Sequence, residues 1–331
     1  MLKSSLTVKG DEDLEHKIEN VVSEQLVGEG FNEIMNNSLS RVSYYEGDKL
    51  NAYPWAKTVK VMNPLSADLG VMRQSILFGG LESLARNINR KSSNLKFFEF
   101  GNTYRYEEES RTEEAPIKAY KQQHHLGLWV TGFHVQGSWI HPDEKSSVFE
   151  LKAYVMNVLR RLGLQGGAIV EENSDNNIFA HARVLKTRNG KVLAEYGVLA
   201  HQLLKDNGID QPTFFADLNW TNLMKLALKH KIEFKEISKF PQVSRDLALL
   251  VDKQVEFAEI EKIAYQTEKK LLKKVELFDV YEGKNLPAGK KSYAVNFIIQ
   301  DDNRTLNDKA IDAVMKKLIA NLTSKLGAEL R

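Results

Sequence analysis

The sequence predicts an α+β fold, and three observations predict it. Apolar residues recur with period two in several runs, and some of these runs are joined by short turns rather than by crossover helices. Amphipathic stripes at three-and-four spacing lie between and around these runs, so helices must cover a sheet. Near the C-terminus the two patterns alternate in the order β-α-β-β-α-β, which is the ferredoxin-like split unit. A mixed, largely antiparallel sheet carrying helices, followed by a smaller split unit, accounts for all three.

The first helix is expected from about Asp13 to Gly28. Leu14, Ile18, Val21, Val22, Gln25 and Leu26 share a face, acids crowd its first turn, and Gly28 and Gly30 end it. A strand over Phe31 to Leu39 should follow. Val59 to Met62 reads as another strand, broken by Asn63-Pro64, and Leu77, Leu81, Leu84, Ala85 and Ile88 mark a second helix. Leu95 to Phe100 (LKFFEF) is a strand that must be covered on both faces, and His124 to Gly132 is a further strand. Ser147-Val148-Phe149-Glu150 has capping-box spacing and opens a helix that runs to about Leu162. Arg188-Asn189-Gly190-Lys191 joins two strands, Asn-Gly supplying the positive φ angles of a tight hairpin, and Phe214 to Leu218 adds one more strand.

The lysine-rich segment from Lys225 to Lys235 marks a boundary, giving domains over 1–230 and 235–331. Beyond it the expected order is strand (Asp246 to Val251), helix (Phe257 to Val275), strand (Glu276 to Tyr281), strand (Tyr293 to Gln300), helix (Thr305 to Leu326, capped by Thr305 to Asp308) and a closing strand at Ala328 to Arg331. Both helices cover one sheet face, which leaves the other for a partner.

Bulk properties narrow the function classes. A chain of 331 residues with 42% hydrophobic and 27% charged residues is globular, not a disordered tail. Its net charge of +2 announces neither nucleic acid nor an acidic membrane. Without cysteine it has no disulfide, no zinc–cysteine site and no thiol nucleophile. The charged N-terminal stretch is unlike a secretory signal, and the longest apolar run, Leu247 to Val251, is too short to span a bilayer. A cytoplasmic location with no membrane partner is expected.

Three segments, NPLSADLGVMRQSIL (Asn63 to Leu77), LESLARNINRK (Leu81 to Lys91) and FFEFGNTYR (Phe97 to Arg105), resemble in order and spacing the C-terminal part of the β subunit family of bacterial phenylalanine-tRNA ligases. FPQVSRDLALLVD (Phe240 to Asp252), ELFDVYEG (Glu276 to Gly283) and SYAVNFIIQDDNRTLNDKAID (Ser292 to Asp312) are similar to the ferredoxin-fold anticodon-binding domain that ends that subunit. The resemblance implies a catalytic-like module, folded as a class II synthetase-like antiparallel sheet but inactive, followed by the anticodon-binding domain. It also implies a catalytic α subunit as partner in an (αβ)2 heterotetramer, with the tRNA for phenylalanine as ligand. The intact enzyme would use ATP and Mg2+, and this fragment would bind neither. The family's subunit is much longer and includes an editing module that is not visible here, so the chain is expected to be a fragment.

The stretch TYRYEEE (Thr103 to Glu109) tests the inactive reading, because a class II site uses an arginine in such a position to meet a phosphate. Adenylate formation needs several cations in fixed geometry. The late glycine-rich strand that carries a second arginine is missing, since Tyr196 to Trp220 contains Gly197 but no arginine. Glu107, Glu108, Glu109, Glu113 and Glu114 would repel a triphosphate. Arg105 is therefore expected on a solvated loop, paired with nearby glutamates, and no catalytic residue is assigned. His124, His125, His134 and His141 suggest no metal site, because neighbours on a strand face opposite ways.

Candidate tRNA contacts are Lys239, Arg245, Lys284, Lys290, Lys291 and Arg304, with Phe240 and Tyr281 as aromatic platforms. Phe278 and Tyr293 are also interleaved with the basic residues, and either of them would equally pack against a helix. The resemblance assigns Asn63, Pro64, Met72, Arg73, Arg86, Asn87 and Arg90 to the subunit interface. Two alternatives stand beside this reading. A degenerate class II ligase active alone would show ATP–pyrophosphate exchange without a partner, and a free-standing RNA-binding protein would need no α subunit.

Overall fold

The computed structural model describes residues 11–47, 49–64, 66–164, 169–229, 234, 236–283 and 286–330. The chain divides into two compact units, Met1–Ile232 and Glu233–Arg331.

In the first unit, helix α1 (Asp11–Gly28) leads to the short strands β1 (Asn32–Glu33), β2 (Leu39–Ser40) and β3 (Val71–Met72). Helix α2 (Leu77–Asn89), the long strands β4 (Leu95–Tyr106) and β5 (Tyr120–Thr131), and the hairpin β6 (Phe133–Val135) and β7 (Glu144–Lys145) come next. Helix α3 (Val148–Arg161), strands β8 (Ile169–Asn173), β9 (Phe179–Thr187) and β10 (Val192–Leu199), helix α4 (His201–Asp206), strand β11 (Thr213–Asn219) and helix α5 (Trp220–Ala227) complete it. Seven strands form one sheet in the order β1-β4-β5-β11-β10-β9-β8, antiparallel except for the β1–β4 pair.

Both sheet faces are covered, as the unbroken apolar run in β4 requires. Phe98, Leu126, Leu128 and Phe214 point into a core closed by Val22 and Leu26 of α1, Val155 and Leu159 of α3 and Leu223 of α5. Phe97, Trp129 and Phe215 point the other way, onto Leu77, Leu81 and Leu84 of α2 and onto Tyr45 and Tyr53 of the loop that precedes β3.

Several expectations need correction. The strand over Phe31 to Leu39 is broken into β1 and β2, and Val59 to Met62 contributes only an isolated bridge from Lys60 to Val71. In α1, Leu14 and Val21 remain exposed, so the buried stripe is narrower than the sequence stripe. Ser147 caps α3 by accepting from the Glu150 amide at 3.3 Å, but the Glu150 carboxylate turns instead to Lys96 and His134. At the β9–β10 hairpin only Gly190 has positive φ (77°), with its N–H bonded to the Thr187 carbonyl.

The second unit contains β12 (Val243–Asp252), α6 (Phe257–Thr267), β13 (Leu272–Tyr281), β14 (Lys290–Ile299), α7 (Asp308–Leu326) and β15 (Glu329–Leu330). Its sheet runs β13-β14-β12-β15 with every pair antiparallel, so the chain order is β-α-β-β-α-β. Helix α6 stops eight residues earlier than the apolar spacing suggests. Glu268 accepts from the Lys270 and Leu271 amides and turns the chain, and a register shift between Leu272 and Lys274 lets Leu272 and Val275 both reach the core. That spacing of three imitates a helix. The cap of α7 is Asn307, whose side chain accepts from the Ala310 amide at 2.9 Å, rather than the Thr305 box. Leu249, Val251, Val295, Phe297 and Ile299 face Ile260, Ala264, Ile311, Leu318 and Leu322 from the two helices.

A filled sheet face and a candidate nucleic-acid interface

The large sheet's face beneath α2 carries the residues on which catalysis would depend. Strand β4 continues through Tyr106, pairing with β5 along its whole length, so Arg105 is a strand residue opposite Lys121. Its Nη2 donates to the Ala52 carbonyl at 3.3 Å, and its guanidinium lies 5.9 Å from the Tyr53 ring centroid. The expected solvated loop with glutamate partners is therefore wrong for Arg105. The glutamates find other groups: Glu107 is 4.0 Å from Lys121, and Glu108 meets Arg111 at 3.7 Å and the Tyr106 hydroxyl.

Further along the same face, side chains occupy the space over the glycines. Arg73 donates from Nη1 to Glu99 at 2.7 Å and from Nε to the Asn102 carbonyl at 2.8 Å, which lays its guanidinium across Gly101. A Cβ on Gly101 would stand 2.2 Å from Arg73 Nη2. The Trp129 indole lies against Gly80 and Gly127 in the same way, 2.1 Å and 2.5 Å from where their Cβ atoms would be. Deeper in the sheet, His125 Nδ1 is 2.5 Å from Asp217 Oδ1, and Asp217 sits across from Glu195 in the β10–β11 ladder. Burial, helped by the Asp217 charge, pushes the Glu195 carboxyl above its ordinary range against the bonds from Ser174 and Asn176. Burial likewise pushes the Tyr53 hydroxyl far up, with Asp217 and Glu195 adding to it.

His124 and His125 face opposite sides of β5. His124 Nε2 meets Glu19 at 3.1 Å, while His125 meets Asp217. Among the described residues no group of three or more His, Asp or Glu side chains is placed to hold a metal ion.

The residues assigned to a subunit contact divide sharply. Arg73 is 5% exposed and bonded inside the chain, so it is a structural ion pair and not a contact. Asn63 (φ 57°), Pro64, Arg86 and Arg90 are exposed, while Met72 and Asn87 are half-buried, the latter donating to the Ser83 carbonyl at 2.8 Å. Sequence reasoning missed Met35 and Met62, which are 91% and 89% exposed, and Trp139 and Phe149. Met35, Met62 and Trp139 are isolated apolar residues in irregular segments and carry no periodicity that would flag them, while Phe149 lies in the first turn of α3, off its buried face.

In the second unit, α6 and α7 leave one sheet face uncovered. Alternation places Ser244, Asp246, Ala248 and Leu250 of β12 on it, with Ser292, Ala294, Asn296 and Ile298 of β14. Asn296 donates to Ser244 and to Asp246 across the strands. Tyr281 ends β13 opposite Ser292, and Asp279 stands opposite Ala294. The Tyr281 ring folds across the backbone of Gly283, where a Cβ would be 2.3 Å from the phenolic oxygen.

The candidate basic residues do not form one patch. Lys290, opposite Asp252, and Lys291, opposite Val251, lie at one end of the β12–β14 ladder. Arg245 lies opposite Phe297, seven residues or about 23 Å along β12 from Asp252. Phe240 joins that second end, its carbonyl accepting from Gln300 at 2.7 Å, and exposed Lys239 precedes it. Arg304, also exposed, holds Asp301 at 3.1 Å. Lys290 pairs with Glu329 at 2.6 Å, and the Lys291 ammonium lies 4.8 Å from the Tyr293 ring centroid. Tyr293 itself is core, its hydroxyl bonded to the Val255 carbonyl at 3.1 Å. Lys284 lies outside the described residues.

An open four-stranded face, backed by two helices and rimmed by cations, defines a class of nucleic-acid-binding module, and residues 238–331 match the ferredoxin-fold anticodon binding domain. Residues 1–220 match the phenylalanyl tRNA synthetase beta chain CLM domain, and the chain belongs to the phenylalanyl-tRNA synthetase β chain family. Proteins named phenylalanine–tRNA ligase beta subunit are similar to all of this chain: 59% identical in Bacteroides thetaiotaomicron, 58% in Bacteroides fragilis and 52% in Porphyromonas gingivalis. The chain spans 40% of the length of each of these relatives. A pyrrolysyl-tRNA synthetase structure from Desulfitobacterium hafniense covers 64% of this chain and 68% of its own at 14% identity with a TM-score of 0.47, too loose a likeness to carry an argument.

Proposed function

We infer that this chain is the tRNA-binding and assembly part of a phenylalanine-tRNA ligase β subunit, working with a catalytic α subunit in an (αβ)2 heterotetramer that attaches phenylalanine to its tRNA. The open face of the second unit is the observation that carries this reading. Ala248 and Ala294 leave room for a flat base, while Asp246 and Asn296 offer an acceptor and a donor for its edge. The cations lie at the two ends of the ladder, Lys290 on the side of the open face and Arg245 and Lys291 on the side of the helices, which suits phosphates that pass the ends of the sheet.

ATP and Mg2+ belong to the intact enzyme in this reading. The face beneath α2 does not fit a nucleotide, because Arg73 and Trp129 cover its glycines and Arg105 is held by Ala52 and Tyr53. The class II synthetase-like sheet then acts as a scaffold. Exposed Met35, Met62, Arg86 and Arg90 offer the apolar and charged surface an α subunit would bury, and the function is carried out in the cytoplasm.

Fluorescence anisotropy with the tRNA for phenylalanine tests the reading. The purified chain should bind it weakly, with an affinity that falls linearly in log–log form with salt, and should show no ATP–pyrophosphate exchange. Exchange by the chain alone, or salt-indifferent binding, would sink the proposal.

A further inference from the structure

We propose that Asn189 is a site of spontaneous covalent modification, its side-chain amide lost through attack by the Gly190 backbone nitrogen to leave an isoaspartyl or aspartyl residue at the tip of the β9–β10 hairpin. The chain holds two Asn-Gly pairs, Asn189-Gly190 and Asn207-Gly208. A following glycine is what this chemistry needs, because a residue without Cβ leaves its nitrogen open to the preceding side chain and lets the backbone rotate into line. Water is the sole co-reactant. The Gly190 amide gives its proton to hydroxide, and its nitrogen bonds to the Asn189 side-chain carbonyl carbon; the bond from that carbon to the amide nitrogen breaks, and ammonia leaves with a proton from water. Water then opens the succinimide ring at either of its two carbonyls, giving aspartate or isoaspartate.

Sequence makes the two pairs equal, and the fold separates them. Arg188, Asn189 and Gly190 are all exposed. Their turn is closed by the Gly190 N–H on the Thr187 carbonyl at 2.9 Å, the Lys191 N–H on the Thr187 hydroxyl at 3.1 Å and the Thr187 N–H on the Lys191 carbonyl at 2.9 Å. Val192, the next apolar residue, is itself exposed, so opening the turn uncovers no core. The charges of Arg188 and Lys191 on either side favour loss of the Gly190 proton. Asn207 is held at both ends of the reacting pair. Its Nδ2 donates to the Leu203 carbonyl at 2.8 Å, the Gly208 N–H bonds the Lys205 carbonyl at 3.0 Å, and Ile209 is fully buried with its N–H on the Leu204 carbonyl at 3.0 Å. Bringing the Gly208 nitrogen onto the Asn207 side chain therefore requires undoing the end of α4 and drawing Ile209 from the core. At Asn189 the product places an acid between Arg188 and Lys191, and the isoaspartyl form lengthens the backbone of the turn by one carbon.

The test incubates the full chain at mildly alkaline pH, native and in urea, and follows the peptides that carry each asparagine by mass, which rises by about 1 Da for each amide lost. In the native chain Asn189 should convert about tenfold faster than Asn207 or more, and in urea the two rates should come together, because the difference belongs to the fold. Both products should appear at Asn189, the isoaspartyl share identified by its acceptance of a methyl group from an isoaspartate-specific methyltransferase. Asn189→Gln should remove the mass gain from that peptide and leave the rate at Asn207 unchanged. Equal rates in the native chain, a faster Asn207, aspartate as the sole product at Asn189, or a native Asn189 that keeps its amide while the chain in urea loses it would each overturn the proposal.

Discussion

Replacing Arg73 by alanine decides between a subunit contact and an internal brace. Glu99 is 1% exposed, and its carboxylate receives Arg73 Nη1 at 2.7 Å, the Asn36 side-chain amide at 2.7 Å and the Asn36 backbone N–H at 3.3 Å. Removing the guanidinium leaves a buried charge with one neutral neighbour and also unties the Asn102 carbonyl. Breaking a buried pair from one side costs about 3 to 5 kcal/mol. All four tryptophans (Trp55, Trp129, Trp139 and Trp220) fall in the first unit, so their fluorescence during urea unfolding reports that unit alone. With a urea dependence of roughly 2 to 3 kcal/mol per molar, the midpoint should fall by roughly 1.5 M. No partner is present in this assay, and a residue whose role lay only in subunit contact would leave the midpoint unchanged. A loss below about 1 kcal/mol would refute the brace.

Two further outcomes follow from the charges. Reversing Lys239, Arg245 and Arg304 together, or Lys290 and Lys291 together, separates the two ends of the second sheet in tRNA titrations against salt. The end that meets phosphates should lower the log–log slope by about one for each phosphate no longer neutralised, and the pair held by Glu329 and Tyr293 should show the smaller change. The Glu171 carboxylate is held below its ordinary value of 4.5, because the Tyr196 hydroxyl (2.6 Å), Lys152 (2.9 Å) and the Arg183 charge outweigh burial, which alone would raise it. Its contribution is therefore present above about pH 4.5 and lost as pH falls through the depressed value. Glu171→Gln should lower stability at pH 7, and the loss should shrink as pH falls from 4.5 through the depressed value, so a loss that stays constant from pH 7 down into the acid unfolding range would contradict the assignment.

Long regular elements were legible in the sequence because their periods are fixed by burial. Leu77, Leu81 and Leu84 mark α2, and Leu249, Val295 and Phe297 mark the second sheet. The failures lie where another physical rule gave the same spacing. Leu272 and Val275 look helical because a bulge restores their common face. Arg73 lies in a segment that the resemblance assigns to a surface, and nothing local reveals Glu99, 26 residues away, as its partner. The cations of the second unit flank strands that pair with each other, yet Arg245 and Lys290 fall toward opposite ends of a ten-residue ladder in space.

Arg105 shows why the missing arginine could not by itself settle the large sheet. Losing a second cation weakens a nucleotide site, yet it says nothing of what takes the vacated face. The loop carrying Ala52 and Tyr53 supplies a carbonyl and a ring for Arg105, while Arg73 and Trp129 close over Gly101, Gly80 and Gly127. Glycines that would let a ligand approach a sheet instead let the chain approach itself. In the second unit the small residues Ala248 and Ala294 lie on the face opposite both helices, half-buried and outside the hydrophobic core. A sheet offers a ligand only the surface its own chain leaves open, so the proposed RNA recognition falls to the smaller unit and the proposed support to the larger.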